Sequence, residues 1–170
     1  LLPRLISGET FGEDIKVNLR LIEIPQVVEK LNGTIMELID CGFKQTGSLI
    51  STSSIEEGVT NADWVLLVGS VPRGIEVDGK KIEARNDILK INGGIFTTQG
   101  SAIGKLAKSN AKILVVGNPA NTNALIGKNH AKNDSQQWFA MTALDANRAK
   151  AQLAQKAGVE ISAVTNMTIW

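Results

Sequence analysis

Cysteine is almost absent from this sequence: Cys41 is the single thiol among 170 residues. One thiol excludes an internal disulfide and a cysteine-based zinc site, and it fits a reducing compartment. Histidine is equally scarce. His130 lies alone in the polar stretch 127–134 and reads as a surface residue, so no His/Cys metal cluster can form. An excess of one charge is also missing. Eighteen Lys and Arg stand against seventeen Asp and Glu, a net charge of +1, whereas a dedicated nucleic-acid module carries a basic stripe or a clear cationic excess. No apolar run approaches the ~18 residues of a membrane span. No Walker A sequence, internal repeat or low-complexity segment is found. Aromatics are few, and Trp64, Trp138 and Trp170 read as core residues rather than platforms for stacking bases.

What is present suits one globular domain. The length is that of a single domain, and 43% hydrophobic residues suffice for one sizeable core. The chain begins Leu1-Leu2-Pro3, and residues 1–6 read as the apolar end of a helix stopped near Ser7-Gly8. Residues 167–170 read as a strand with no turn after it, so both ends are expected to cut through structure.

Between the ends, strand and helix patterns alternate. Residues 17–22 form a short apolar strand, and Pro25 opens a helix at a position where its missing donor costs nothing. A second helical piece carries Ile35, Met36, Leu38 and Ile39 and stops around Gly42. Residues 49–51 suggest a strand and 55–60 a short helix. Residues 64–68 are a nearly continuous apolar strand of the kind buried on both faces in a parallel sheet. A polar loop over 72–81 leads to a long helical pattern, about 86–108, with an apolar stripe of Ile88, Ile91, Ile95, Ala102 and Leu106. Gly93-Gly94 inside it implies either close packing or a break. A strand at 112–116, a short helix at about 122–128, a strand at 138–141 and an Ala-rich helix at 144–157 stopped by Gly158 complete the series. The alternation predicts an α/β fold with a mostly parallel sheet.

In open parallel sheets ligands bind beyond the carboxyl ends of the strands. The residues there are therefore the candidates. Glu23 closes an early strand, where an acid can accept the two ribose hydroxyls of an adenosine and would repel a 2′-phosphate; it can equally be an ordinary surface carboxylate. Gly69 and Ser70 are small enough for a flat ligand to approach the backbone. Arg73 and Arg85 flank the polar loop. Arginine grips a carboxylate through two parallel hydrogen bonds, although both residues can also be plain surface charges. Asn118-Pro119 directly follows a strand; Asn offers a donor and an acceptor, and Pro fixes a turn that a cis bond can shape. Asp145 and Arg148 share a helix face at i,i+3 spacing. Asp145 either caps its helix or holds a catalytic His in one tautomer, and Arg148 can hold a substrate carboxylate.

These stretches together resemble the malate dehydrogenases, in the branch typified by cytosolic and many bacterial enzymes. The resemblance is carried by residues 21–26 (LIEIPQ), 36–41 (MELIDC), 66–74 (LLVGSVPRG), 91–96 (INGGIF), 115–126 (VVGNPANTNALI) and 144–149 (LDANRA), in the family's order along nearly the whole chain. It implies a Rossmann-like parallel sheet with flanking helices, truncated at both ends, with an NAD-binding domain over 1–143 and the start of a substrate domain at 144–170. The implied cofactor is NAD, and the implied reaction is reversible hydride transfer between malate and oxaloacetate. Glu23 would take the adenosine ribose in place of the family's usual Asp, while Gly69 and Gln99 would line the cofactor channel. Arg73 resembles the reader of the distal carboxylate, Arg85 the mobile-loop arginine over the reacting oxygen, and Arg148 the clamp on the carboxylate beside the reacting carbon. Asn118 resembles the asparagine that bonds substrate near the nicotinamide, and Asp145 the partner of the catalytic His. The resemblance further implies a cytoplasmic homodimer acting on a small dicarboxylate, with no nucleic-acid or membrane partner.

Two parts of the family pattern are absent. Its Gly-rich loop should precede Leu1 and its catalytic His should follow Trp170, so these 170 residues are expected to be inactive alone. The link between Arg73 and Arg85 is also longer than the family's usual one. The competing readings are a lactate dehydrogenase-like 2-hydroxy acid oxidoreductase, a noncatalytic NAD-binding or interaction module, and an unrelated nucleotide-fold enzyme such as a methyltransferase. The last would not explain Arg73, Asn118 and Arg148 at strand and helix ends.

Overall fold

A computed structural model describes residues 1–169 except 72, 73, 75, 78, 79 and 82–84; for Glu76, Val77, Lys80, Lys81 and Arg85 it describes the backbone alone. The chain divides into two compact units, Leu1–Ala62 and Asp63–Trp170. Each is an α/β arrangement whose main strands run parallel, as the alternating pattern predicts.

In the first unit, helix α1 (Leu2–Ile6) buries Leu5 and Ile6 and ends at Ser7. Strand β1 (Val17–Ile22) pairs in parallel with β2 (Thr46–Thr52). The ladder is irregular between Val17 and Leu19. There the Asn18 side chain accepts the Ser48 N–H at 2.9 Å, and a Cβ on Gly47 would come within 2.9 Å of the Val17 carbonyl oxygen, so the neighbouring position is kept free of a side chain. Residues 25–27 form a turn, followed by a 3-10 turn (Val28–Lys30) and then one α-helix, α2 (Leu31–Asp40). Pro25 therefore starts a turn rather than a helix, and the two expected helical pieces are a 3-10 turn and one helix that runs through Gly33. Helix α3 (Ile55–Val59) is short but well terminated. Ser54 caps it by accepting the Glu57 N–H, and the Glu57 carboxylate accepts the Thr52 hydroxyl. At its other end the Arg20 guanidinium donates to the carbonyls of Glu57 and Thr60 at 3.1 and 2.5 Å, satisfying acceptors that the helix leaves open.

In the second unit, β3 (Trp64–Leu67), β6 (Lys112–Val115) and β7 (Gln137–Ala140) form a parallel sheet in the order β3-β6-β7. Two-residue strands β4 (Glu76–Val77) and β5 (Lys80–Lys81) pair antiparallel within the polar loop. Strand β6 is central, and Ile113 and Val115 are fully buried. Strand β3 has the same alternating pattern as β6: Val65 and Leu67 are buried while Trp64 is exposed, which departs from the expected burial of both faces. Trp64 is thus not a core residue; the Lys112 ammonium lies 5.0 Å from its ring centroid. Trp138 is half-buried, and Trp170 lies outside the described residues.

Helix α4 (Arg85–Leu106) runs unbroken through Gly93-Gly94. A Cβ on Gly94 would meet nothing within 4 Å, so neither a break nor tight packing explains that residue. Close packing occurs further along. A Cβ on Gly100 would lie 2.8 Å from the Gly127 Cα, and one on Gly104 would lie 2.6 Å from the Ala131 Cα, both on helix α5 (Ala120–Ala131). A Cβ on Gly127 would in turn come within 2.8 Å of the Trp138 ring. The two helices thus meet backbone to backbone, and α5 lies on the β7 ring. The buried face of α4 carries Ile88, Asn92, Phe96, Ala102 and Ile103: Ile88 and Ala102 belong to the predicted stripe, whereas Ile91, Ile95 and Leu106 are only half-buried and a polar residue takes part. Each fully buried large apolar side chain here contributes about 1.5–3 kcal/mol. Helix α6 (Ala143–Ala157) ends on Gly158 at φ 67°, the left-handed conformation that favours glycine. Residues 167–169 form no strand. Among the described residues no helix is long and apolar enough to cross a membrane, and no group of three His, Cys, Asp or Glu can hold a metal ion.

Candidate functional site

Glu23 follows β1 directly. Its N–H continues the ladder by donating to the Thr52 carbonyl at 3.1 Å. Its side chain is exposed, and Oε1 accepts the Ile24 N–H at 2.9 Å. That bond orients the carboxylate and leaves Oε2 without a protein partner among the described residues. The donor set therefore fits a ligand offering hydroxyl donors, as an adenosine ribose does.

In the second unit, adjacent parallel strands bring their carboxyl ends together. Both Val116 and Gly117 donate their N–H groups to the Leu67 carbonyl, at 2.9 and 3.0 Å. A Cβ on Gly117 would sit 2.8 Å from the Gly69 carbonyl oxygen, so glycine is required where these two chain segments touch. Gly69 itself is exposed, with open space where a Cβ would stand. A flat ring can approach its backbone there, which fits the role expected of this residue.

Asn118 follows Gly117 with an exposed side chain, and the Asn118-Pro119 bond is cis. The turn is held from below by Asn123, a fully buried residue of the first turn of α5. Its Nδ2 donates to the Gly117 carbonyl at 2.9 Å, and its N–H donates to the Pro119 carbonyl at 2.9 Å. A second buried amide holds the segment after β3. Asn92 accepts the Val71 N–H on Oδ1 at 2.8 Å and donates from Nδ2 to the Val71 carbonyl at 3.3 Å. Sequence reasoning missed both asparagines. The signal for Asn92 is an amide placed within the apolar face of a long helix, where an aliphatic residue would be expected.

Gln99 lies half-buried on α4, with its Oε1 buried and unpartnered among the described residues. Arg85 is the first residue of α4, and only its backbone is described; Arg73 lies outside the described residues. Asp145 and Arg148 are both exposed on α6, whose first residue follows the end of β7 closely. Thr142, not Asp145, is the N-cap residue, and no ion pair joins Asp145 to Arg148. Both charged groups thus face outward at one helical turn's spacing. His130 is exposed on α5, its Nδ1 2.9 Å from the Ile126 carbonyl oxygen one turn earlier, in keeping with a surface histidine.

Residues 4–140 match the model of the lactate/malate dehydrogenase NAD binding domain. The chain belongs to the lactate/malate dehydrogenase family. Among solved structures of this family, the malate dehydrogenase of Naegleria fowleri is 38% identical, with a TM-score of 0.83 over 95% of this chain and 48% of that one. The lactate dehydrogenase of Trichomonas vaginalis in complex with NADH and oxamate is 35% identical, with a TM-score of 0.77 over 93% of this chain and 46% of that one. A malate dehydrogenase from Plasmodium falciparum shares the fold at 19% identity and a TM-score of 0.68. The chain therefore spans about half the length of these structures. The Rossmann-like fold class expected from the sequence is the one observed, and the domain's cofactor is NAD. Family members of both specificities match at similar identity.

Proposed function

We propose that this chain is the cofactor-bearing part of an NAD-dependent malate dehydrogenase that interconverts (S)-malate and oxaloacetate. The observation that carries the choice of substrate is the guanidinium of Arg73, placed by the sequence two residues beyond the anchored Val71. A dicarboxylate needs a cation at each end, and Arg73 and Arg148 supply them through charge-assisted, paired hydrogen bonds. Lactate and pyruvate carry no second carboxylate to engage Arg73.

In this reading Glu23 accepts the adenosine ribose hydroxyls and excludes a 2′-phosphate, and Gly69 and Gln99 border the cofactor channel. Asn118 hydrogen-bonds the substrate beside the reacting carbon. When bound, NAD would supply the acceptor for the hydride at C2 of malate. The hydroxyl proton passes to a His supplied from outside these residues, and Asp145 holds that ring in one tautomer and stabilises its charged form. In the reverse direction Arg85 supports the charge that develops on the carbonyl oxygen. The 170 residues alone are inactive in this scheme, since they hold no general base at the reacting carbon. A cytoplasmic homodimer belongs to the same reading; Met36 and Ile39, exposed on α2, support a partner-covered face.

The test is Arg73→Gln in the full-length protein. Loss of a paired, charge-assisted contact lowers kcat/KM for oxaloacetate about 100-fold or more, while turnover of pyruvate changes by less than about threefold. Equal losses on both acids remove Arg73 from its role and leave the lactate dehydrogenase-like reading, which the Trichomonas vaginalis relative supports.

A further inference from the structure

We propose that Asn92 is a positioning residue for the substrate end of the site, fixing the point from which the arginine-bearing segment 72–84 departs. The inference rests on the dehydrogenase reading above and adds to it a residue whose side chain need not touch substrate.

Asn92 is fully buried on α4, yet neither of its side-chain bonds serves the helix. Both go to the backbone of Val71, 21 residues earlier: N–H to Oδ1 at 2.8 Å and Nδ2 to the carbonyl at 3.3 Å. One side chain thus pairs with both polar groups of one residue, as a neighbouring strand would. Val71 lies outside any strand or helix, so these bonds satisfy a donor and an acceptor that have no regular ladder to join. An aliphatic residue would fill the same slot among Ile88 and Phe96 but would leave both Val71 groups unpaired.

Placement gives this clamp its meaning. Val71 precedes Arg73 by two residues, and Arg85 is the first residue of the same helix that carries Asn92 two turns later. Val71, which precedes residues 72–84 in the sequence, is therefore bonded to α4, and Arg85, which follows them, begins the same helix. Val71 and the backbone of Arg85 are thus both referred to one helix, and holding a four-carbon diacid at fixed separation demands such a common reference for the residues between and beside them.

The test uses the full-length protein with Asn92→Leu and Asn92→Asp. For Asn92→Leu the expected result is a KM for oxaloacetate raised tenfold or more, an oxaloacetate-to-pyruvate preference reduced in proportion, and an NADH Kd within twofold of wild type. Amide exchange at Val71 should accelerate. Asn92→Asp keeps the acceptor but sets a carboxylate oxygen against the Val71 carbonyl. Its KM should approach wild type as pH falls, because a protonated carboxyl regains the donor that Asn supplies. A folded Asn92→Leu protein with unchanged KM and preference overturns the proposal. So does a rise in the NADH Kd that matches the rise in KM, which would mark a general structural role. If Asn92→Leu does not fold, the pH profile of Asn92→Asp decides, and a KM that fails to recover at low pH overturns it. Wild-type protein that turns over neither acid overturns the dehydrogenase reading instead, a result read before any variant is made.

Discussion

The contact between α4 and α5 predicts opposite outcomes for one substitution made twice on one helix. At Gly104 an alanine Cβ would run first into the Ala131 carbonyl oxygen, with the Ala131 carbonyl carbon at 2.5 Å and Cα at 2.6 Å behind it. The obstacle is backbone, so no side chain can rotate away. Clearing the carbonyl carbon alone to the 3.4 Å of ordinary van der Waals contact requires the helices to part by about 0.9 Å, and the carbonyl oxygen demands more, enough to forfeit at least a quarter to a half of each pair's dispersion energy along the seam. Overpacking of this kind costs about 1–3 kcal/mol, and a backbone obstacle puts Gly104→Ala at the upper end. Alanine's better helix propensity returns about 1 kcal/mol, leaving a net loss of about 2 kcal/mol, or a fall in Tm of roughly 4–8 °C for a protein of this size. At Gly94, where nothing lies within 4 Å, the same change keeps only the propensity gain and should raise stability by up to about 1 kcal/mol. Urea titration with thermal unfolding of both variants measures the difference. If Gly104→Ala matches or exceeds wild type, or both variants shift in the same direction, the reasoning from the seam is wrong.

Other consequences are open to direct measurement. Replacing Glu23 with Ala removes an anionic acceptor for the ribose hydroxyls and should weaken NADH binding about 10- to 100-fold while narrowing the preference over NADPH. Fluorescence titration checks this, and an unchanged NADH Kd would take Glu23 out of the cofactor site. On the surface, the Arg4 guanidinium donates to Glu9 at 2.7 and 3.0 Å and holds that carboxyl below the ordinary Glu range. A depressed carboxyl stabilises the fold above its unfolded-state value, about 4.3, and the contribution is lost as pH falls through the folded-state value. Glu9→Gln should therefore be slightly less stable than wild type at neutral pH and converge with it in acid. The gap should also close in high salt, because the pair is exposed; a gap that widens in acid contradicts the pairing.

Much of this fold is legible in the sequence because local pattern and tertiary demand agree. Residues 17–22 and 112–115 are short, apolar and bounded by polar or glycine positions, and they are strands. Gly158 stops the Ala-rich α6 in the left-handed conformation that its position suggested. Agreement fails where a residue answers a long-range need. Asn92 breaks the apolar period of α4, so the predicted stripe found Ile88 and Ala102 of the buried face but missed Phe96 and Ile103. Gly93-Gly94 drew notice although Gly100 and Gly104 form the seam, because a helical glycine does not announce which neighbour will approach it. Residues 167–169 have strand-like composition but no pairing partner, and composition cannot supply one. The positions of Glu23, Gly69 and Asn118 just beyond strand ends were legible from the strand pattern, which is where ligands gather in such sheets. Asn123 was not, because its bonds to Gly117 and Pro119 exist only once the turn has folded back over α5.

The α4–α5 seam also limits how this part of the molecule can move. Its close-approach points fall four residues apart on each helix, Gly100 and Gly104 against Gly127 and Ala131. Sliding one helix past the other by less than that spacing takes both close approaches out of register. Shear between these helices, a common way for proteins to adjust around a ligand, is therefore opposed here. Any adjustment around a ligand has to come from outside this pair.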